Sequence, residues 1–309
     1  MPIIKSFTSK IKRIKKEAAL YSMLIPGAVW LIIFCYMPMF GIVVAFKKYN
    51  YSLGIFGSQW SGFKNFEYFF KTPDAWIITR NTVAYNLAFI ILGTITAVLL
   101  SILLSEITGR LLSKTYQTVI LLPHFLSMVI VAYLLFSFLS TDYGVINRTL
   151  MKWFGIEAVS WYSESKYWPY ILIFVNLWKG MGYNTVVYLA TISGINAEYY
   201  EAAVIDGASK LQQVIYITLP FLKPIVTILT ILALGRIFGS DFGLFYQVPM
   251  DSGALYPVTN VISTYVYRAM SSNIGISSAA GLYQAVVGFV LVVASNLLVK
   301  KFDSENALF

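Results

Sequence analysis

The chain has 309 residues, of which 58% are hydrophobic and 12% are charged. This balance excludes an ordinary soluble domain and indicates a membrane protein. The formal net charge is +9, but the basic residues flank apolar segments and form no groove-sized patch. Membrane orientation explains them, and nucleic acid is not an expected partner. Cys35 is the single cysteine, which excludes a disulfide within the chain and a cysteine-based metal site.

The N-terminal segment, residues 1–18, is basic and precedes a long apolar run at residues 19–46. This run is too long for the hydrophobic region of a cleaved signal peptide and lacks a small-x-small cleavage site, so we expect an uncleaved first span. The lysines and arginine before it predict a cytoplasmic N terminus. We expect residues 19–309 to form one transmembrane domain, with its core at about 80–300.

A segment rich in aromatic residues follows the first span and extends to about Arg80. Its rings are interspersed with polar residues, as around Trp60, Phe63 and Trp76. Aromatic side chains of this kind anchor at the level of the lipid headgroups. We therefore expect an external amphipathic element between the first and second spans.

Five further apolar segments are each near the twenty residues that a membrane helix needs. They cover residues 83–105, 116–139, 168–190, 218–236 and 280–299. The sequence therefore predicts an all-α, polytopic membrane protein with about six transmembrane helices. Six spans place both termini on one side, and basic residues such as Arg110 and Lys300 mark that side as cytoplasmic. The longer loops at residues 140–167 and 238–279 are then external.

The fourth predicted span is the richest in polar side chains. They are Asn176, Trp178, Lys179, Tyr183 and Asn184. Polar residues inside a span are costly, so they are functional hypotheses by default. A structural role stays open, because amides bond between membrane helices and lysine pairs or snorkels. At the outer end of the fifth span, we expect Arg236 to form a structural ion pair with Asp241.

A polar interruption at about residues 196–220 separates the fourth and fifth spans. Asn196 suits an N-cap, and Gly207 suits the left-handed residue that ends a helix. Ser209 and Gln212 have the spacing of a capping box, which predicts a second short helix after the glycine. We expect two short helices that lie on the membrane face and that a glycine joins.

This interruption also carries a sequence signature. Its residues are Glu201, Ala202, Ala203, Gly207, Ile217, Leu219 and Pro220. The pattern resembles the EAA motif of the permease subunits of binding-protein-dependent ABC importers. The small alanines let a partner's backbone approach closely, and Glu201 offers a carboxylate to a basic group. The alternative is a solvated amphipathic loop with no partner.

The resemblance implies that the loop is cytoplasmic and rests in a cleft of an ATPase subunit, where it carries nucleotide-driven motion into the membrane. The residues to which it assigns ATPase coupling are Glu201, Ala202, Ala203, Asp206, Gly207, Ala208, Leu219 and Pro220. It also implies the type I ABC importer permease fold. The chain is then an integral protein of the cell membrane, with several passes through the lipid bilayer.

Other stretches are similar to the carbohydrate branch of these permeases. They are residues 19–49, GFKNFEYFF, LLPHFLS and residues 258–270. More narrowly, they resemble the polysaccharide and complex-oligosaccharide type. The implied machine contains this chain, a second homologous permease subunit, two ATPase subunits that bind ATP and Mg, and an extracytoplasmic solute-binding protein. Its implied substrate is an oligosaccharide. Sugars present hydroxyl-rich edges and apolar C–H faces, so the amides and rings of the fourth span suit a sugar pathway.

Several motifs are absent from the sequence. No G-x-x-x-x-G-K-[ST] loop is present, so ATP is expected on another chain. Neither H-E-x-x-H nor G-x-S-x-G occurs, and the lone His124 cannot assemble a histidine metal site, so we expect local packing for it. We therefore expect no catalytic residue, metal or cofactor on this chain, and no enzyme activity of its own.

Two alternative functions remain open at this stage. An ion-coupled secondary transporter should show inverted repeats, paired broken helices and membrane carboxylates. No aspartate or glutamate lies centrally in the six predicted spans, which argues against it. A non-transporting membrane scaffold that recruits a partner through its cytoplasmic loop is the second alternative, and an ATPase in the purified complex would distinguish the importer from it.

Overall fold

The computed structural model describes residues 17–155 and 157–302 and shows an almost entirely helical chain. The first helix, α1, spans Ala18–Leu31, and it continues through a π-helical turn, Ile32–Tyr36, into a 3-10 helix, Met37–Phe46. Their apolar part confirms the predicted first span. The basic segment that we predicted at residues 1–18 lies almost wholly outside the described residues.

A small unit of short strands and helices follows the first span. Two short antiparallel strands, β1 (Lys47–Lys48) and β2 (Gln59–Trp60), flank the short helix α2 (Gly54–Gly57). The next helix, α3 (Lys64–Lys71), buries one ring, that of Phe69, while most of its other aromatic rings are exposed. This amphipathic helix confirms the element that we predicted between the first two spans.

The second membrane helix is longer than we predicted. Helix α4 spans Pro73–Ser105, so it begins ten residues before the expected start at residue 83. Proline at the first helical position needs no N–H partner, and Asp74 in the first turn favours the helix N terminus. The additional turns carry polar side chains that contact other parts of the protein. Their sequence is therefore too polar to be recognised as part of an apolar span.

The predicted span at residues 116–139 is two helices. They are α5 (Arg110–Phe125) and α6 (Met128–Leu139), and their axes differ in direction by 97°. Pro123 lies in the last turn of α5, and Ser127 caps the N terminus of α6 by accepting a hydrogen bond from the backbone N–H of Ile130. The predicted span is therefore broken into two helices, because a proline and a capping serine end one helix and start the next.

The remaining elements carry the chain to its last span. They are α7 (Val145–Phe154), α8 (Trp168–Ser193), α9 (Ala197–Ile205), α10 (Lys210–Gln213), α11 (Leu219–Leu234), α12 (Tyr256–Thr259), α13 (Ile262–Ser272) and α14 (Ile274–Phe302). Short 3-10 helices occur at Ser165–Tyr167 and Gly253–Leu255, and π-helical turns at Val214–Thr218 and Gly243–Gln247.

Four helices of the described residues are long and apolar enough to cross a membrane. They are Ser22–Phe46, Pro73–Ser105, Lys210–Leu234 and Ile274–Leu297, and the bent α5–α6 pair is a fifth if it counts as one span. Helix α8 has 26 residues, but its polar side chains lower its hydropathy. It packs along α4 and α5, so it belongs to the same helical domain. The last helix begins at Ile274, six residues earlier than expected.

Two predictions about the fifth span were wrong. The second short helix after Gly207 is continuous with the span, because α10 passes through the π-helical turn Val214–Thr218 directly into α11. This wider turn precedes Pro220, whose ring would clash with the carbonyl four residues earlier in a regular α-helix. The expected Arg236–Asp241 ion pair does not occur: Asp241 instead accepts a hydrogen bond from the backbone N–H of Leu244 at 3.2 Å.

The segment that follows the fifth span packs into the core. Leu244, Phe245, Val248, Leu255 and Val261 are buried against α4 and α8, in one cluster with Tyr85, Trp168, Leu172 and Val175. Side chains from the first turns of α4 bind its backbone: Asn81 Nδ2 donates to the carbonyls of Pro257 and Asn260, and Tyr85 Oη donates to that of Val258. This region, predicted as an external loop, is therefore a fixed part of the domain.

Candidate functional site

The polar interruption between α8 and α11 forms a well-defined turn. Asn196 Oδ1 accepts a hydrogen bond from the backbone N–H of Glu198 and so caps α9. At the other end, Gly207 has φ +77°, and the N–H groups of Gly207 and Ala208 donate to the carbonyls of Val204 and Ala203. This is a Schellman motif, in which a glycine takes the left-handed conformation that other residues rarely adopt. The predicted cap and the predicted helix end are both confirmed.

The second half of the loop is capped as the sequence predicted. The backbone N–H of Ser209 donates to Gln212 Oε1 at 2.7 Å, and the backbone N–H of Gln212 donates to Ser209 Oγ at 3.4 Å. This reciprocal capping box fixes the direction in which α10 leaves the glycine turn. Because α10 is continuous with α11, the glycine turn sets the position of α9 relative to a membrane helix.

Three contacts fasten the loop to the membrane domain. Lys210 Nζ lies 3.0 Å from Glu106 Oε2, just beyond the C-terminal end of α4. The hydroxyl groups of Tyr200 and Thr218 are 2.9 Å apart. The Tyr199 and Phe221 rings have centroids 5.3 Å apart. The loop thus contacts the end of α4 and the start of the fifth span. The sequence did not indicate the Lys210–Glu106 pair, since these residues are far apart in the chain.

The loop presents an exposed surface to a partner. Glu201 and Ala202 are exposed and Ala203 is half-buried, and the Glu201 carboxylate has no hydrogen bond or ion pair within the described part of the chain. The remaining residues to which we assigned coupling also lie on the loop or where it joins α11: Asp206, Gly207, Leu219 and Pro220 are exposed and Ala208 is half-buried.

Two apolar residues of this surface were missed by the sequence reasoning. Val204 and Ile205 are 61% and 86% exposed. They line a cavity of about 620 Å³ that also reaches Glu201, Lys210 and Glu106. Exposed apolar side chains beside a free carboxylate are typical of a surface that a protein partner covers. An apolar pair within an otherwise polar loop was the signal that could have identified them.

The polar residues that we singled out on α8 differ in burial and in their contacts. Trp178 packs against the core cluster of α4 and α8. Tyr183 is exposed, and its ring stacks on that of His124 at a centroid distance of 5.5 Å and an angle of 19°. Asn176 and Asn184 are half-buried, and their side chains make no hydrogen bond within the described part of the chain. Their spacing of eight residues places both amides near one face of α8, which also carries Tyr183.

Lys179 is bound by the backbone at the break between α5 and α6. Its ammonium group donates to the carbonyls of Pro123, His124 and Leu126. These carbonyls lie at the C-terminal end of α5 or just beyond it, where the regular helical acceptors run out; that of Pro123 also accepts from the backbone N–H of Leu126. A cation near a helix C terminus also interacts favourably with the helix dipole. Lys179 therefore stabilises the bend between the two helices.

Replacing Lys179 with methionine is expected to destabilise the protein by about 3 kcal/mol. It removes a charged donor to three carbonyls. The Pro123 carbonyl keeps the backbone N–H of Leu126 and the bond to His124 is exposed, so the loss corresponds to one or two charge-assisted hydrogen bonds of about 1.5–3 kcal/mol each. We expect a lower unfolding temperature of the detergent-purified protein, with partial recovery in Lys179→Arg. An unchanged unfolding temperature with impaired transport would contradict this role and would place the ammonium group in the solute path.

Comparisons with known proteins agree with these features. Residues 89–304 match the family described as "Binding-protein-dependent transport system inner membrane component". Protein LplB of Bacillus subtilis (strain 168) is 34% identical over 295 residues, which cover 95% of this chain and 92% of that protein. The polygalacturonan/rhamnogalacturonan transport system permease protein YteP of the same organism is 36% identical over 296 residues, which cover 94% of this chain and 90% of that protein.

Solved structures give the same result. A chain in the crystal structure of a bacterial ABC transporter involved in the import of the acidic polysaccharide alginate has a TM-score of 0.86 and 34% identity. The match covers 96% of this chain and 99% of that chain. A crystal structure of a bacterial alginate ABC transporter in complex with an alginate pentasaccharide-bound periplasmic protein gives a TM-score of 0.83, again at 34% identity, and covers 94% of this chain.

Proposed function

The chain belongs to the family of inner membrane components of binding-protein-dependent transport systems, and we propose that it forms part of an ATP-driven importer of acidic oligosaccharides. It is a permease subunit of the sugar ABC type, a transport component and not an enzyme. Identity of 34–36% over more than 90% of the chain carries the proposal. Family membership removes the ion-coupled transporter and the scaffold as alternatives.

Uronic-acid oligosaccharides are the proposed substrate class. Two of the relatives are described as carrying polygalacturonan or rhamnogalacturonan and alginate. The names polygalacturonan and alginate denote polymers of uronic acids, whose carboxylates are ionised at neutral pH. A solute of this kind combines negative charge with hydroxyl groups and apolar ring faces. We expect this chain to favour it over neutral oligosaccharides of the same length.

The proposed complex contains four further subunits. They are a second homologous permease subunit, two ATPase subunits that hold ATP and Mg, and an extracytoplasmic solute-binding protein. The N and C termini and the loop at residues 196–220 are cytoplasmic in this arrangement, and α3 lies at the external surface. The exposed Glu201, Val204 and Ile205 then face an ATPase subunit.

The proposed mechanism is alternating access. When ATP closes the two ATPase subunits, α9 and its Schellman turn move as a rigid body. The Lys210–Glu106 pair and the Tyr200–Thr218 contact pass this movement to α4 and α11. The equilibrium between inward-facing and outward-facing states shifts because ATP has different affinities for the two. Hydrolysis then returns the complex to the inward-facing state.

The proposed solute path runs along the face of α8 that carries Asn176, Tyr183 and Asn184. The free amides offer donors and acceptors to sugar hydroxyl groups, and the exposed Tyr183 ring offers an apolar surface. Polar groups in a membrane domain are stable without protein partners only where they meet water or a solute. Lys179 lies on the same face as Asn176 and Tyr183 and holds the α5–α6 bend beside it, while Trp178 packs in the core.

Reconstitution of the complete importer in vesicles tests the proposed function. Vesicles that contain both permeases and the ATPases should take up labelled alginate or galacturonate trisaccharides when ATP and the loaded binding protein are supplied on the correct sides. Maltotriose is the matched neutral control and should be transported at least about tenfold less. Vesicles that contain this chain alone should import nothing, so uptake by the chain alone would contradict the proposal.

A further inference from the structure

A polar cavity lies at the end of the molecule opposite to the ATPase-facing loop. It lies at the N-terminal end of α4, a helix of 33 residues and thus about 50 Å long, whose C-terminal end lies beside Lys210. The cavity has a volume of about 890 Å³, which is within the range of small-molecule sites. We call it the external pocket, and its main lining residues are Lys48, Lys64, Tyr68, Tyr256, Tyr265 and Arg268.

The charge of the external pocket is positive. Lys48, Lys64 and Arg268 line it, against the lining carboxylate of Asp74 and that of Asp251, which pairs with Arg268. Lys48 and Lys64 are exposed, and neither has an ion pair or a side-chain hydrogen bond within residues 17–155 and 157–302. Two ammonium groups are therefore available to an anion that enters the cavity.

Arg268 is held in place before any ligand binds. Its Nε donates to Asp251 Oδ1 at 2.9 Å, and its Nη1 donates to Asn260 Oδ1 at 2.8 Å. The guanidinium carbon lies 3.9 Å from the centroid of the Tyr256 ring. Burial raises the pKa of the Tyr256 phenol, which stays neutral and donates to Asp251 Oδ1 at 3.2 Å. The second guanidinium nitrogen, Nη2, is buried with no hydrogen-bond partner.

The walls of the external pocket are also fixed. Tyr265 packs against the buried Phe69 ring at a centroid distance of 5.5 Å. Asn65 Nδ2 donates to the carbonyls of Ala45 and Lys47, which ties α3 to the end of the first span. Gly275 lies so close to Asn65 that an added Cβ would be 2.8 Å from its Nδ2 atom. A rigid cavity loses little conformational entropy on binding a ligand.

We propose that the external pocket binds a uronate residue of the acidic oligosaccharide as it enters the importer. The carboxylate is bound by Lys48 and Lys64, while the tyrosine rings contact the apolar C–H face of the sugar. The inference rests on the proposed function, because it takes its solute class from there. The polar and aromatic lining fits a sugar better than a lipid, whose acyl chains need an apolar groove next to the headgroup site.

The test uses the assembled importer in phosphatidylcholine nanodiscs, without the binding protein. Trigalacturonate is the probe, and fully methyl-esterified trigalacturonate is its neutral counterpart. Replacing both pocket lysines (K48Q and K64Q) should weaken trigalacturonate binding about tenfold, since two charge-assisted contacts are lost. Binding of the methyl ester should not change. K152Q is the matched control: Lys152 is an exposed lysine of α7 that does not line the pocket, and this variant should bind both probes like wild type.

The outcomes separate the two proposals. If wild-type importer takes up trigalacturonate in the vesicle assay but the double variant binds it like wild type, the pocket inference is overturned and the proposed function stands. If the double variant loses both probes equally, the lysines have a structural role and the inference fails. If the double variant binds trigalacturonate like wild type in phosphatidylcholine nanodiscs and differs from it only in nanodiscs that contain phosphatidylglycerol, the pocket is a lipid headgroup site and the inference fails. If wild type neither transports nor binds any uronate trisaccharide, the proposed substrate class fails as well.

Discussion

Gly182→Ala is expected to prevent the chain from accumulating in folded form. A Cβ atom at this position would lie 2.3 Å from the Ile120 carbonyl oxygen and 2.9 Å from the Leu121 Cα atom. These are backbone atoms of α5, so no side-chain rotation can relieve the clash. The two helices would have to separate along their contact, which we expect to cost roughly 3 kcal/mol or more.

Gly180→Ala is the matched control, because it adds the same methyl group to the same helix two residues earlier. A Cβ atom there meets nothing within 4 Å, and alanine is a better helix former than glycine. This variant should accumulate like wild type and unfold at the same or a higher temperature. The readouts are the yield of monodisperse, detergent-extracted protein and its unfolding temperature. Equal behaviour of the two variants would show that α5 does not cross α8 at Gly182.

Gly182 also illustrates what the sequence could not reveal. Its role depends on a contact with residues about sixty positions away, and a glycine within an apolar helix carries no local signal of that contact. The same holds for Lys179, which reads equally well as a solute ligand or as a structural cation until its three carbonyl partners are located. Pro123 did carry a local signal for the bend, but the apolar residues on both sides of it favoured a single span.

The loop between α8 and α11 was predicted most completely, because short-range interactions determine it. Asn196, Gly207, Ser209 and Gln212 act within a few residues of their own positions, and their hydrogen bonds are those that the sequence predicted. The prediction was wrong only in separating the second short helix from the fifth span. Pro220 was taken as the start of a new helix, whereas the π-helical turn before it accommodates the proline within one longer helix.

Span boundaries were less predictable for a different physical reason. Helices α4 and α14 begin six to ten residues before their apolar parts, in turns whose polar side chains bind protein and not lipid. Asn81, for example, bonds to the segment after the fifth span, and the hydroxyl groups of Thr79 and Tyr283 join the two helices at 3.0 Å. Hydropathy locates the part of a helix that faces lipid, and tertiary contacts determine where the helix begins.

Glu201→Ala is expected to reduce ATP-driven uptake at least about tenfold while the chain itself folds normally. Within the described residues, the Glu201 carboxylate has no intramolecular hydrogen bond or ion pair, and the residue is exposed. Its removal should therefore change the stability of the isolated chain by no more than about 0.5 kcal/mol. In the complex, its carboxylate faces a basic group of the ATPase under our proposal. Truncating one side of such a buried charge pair costs about 2–5 kcal/mol of binding.

Glu198→Ala is the matched control, since it removes a carboxylate from the same helix one turn earlier. Glu198 contacts Asn196 within the chain, so its loss should weaken the α9 cap slightly and leave uptake within about twofold of wild type. Co-purification of the ATPase subunits with each variant, together with ATPase activity stimulated by the loaded binding protein, separates failed assembly from failed coupling. The loop contacts the membrane helices through Tyr200 of α9 and Lys210 of α10 and not through Glu201. Normal uptake by Glu201→Ala would therefore mean that the ATPase does not drive transport through this carboxylate.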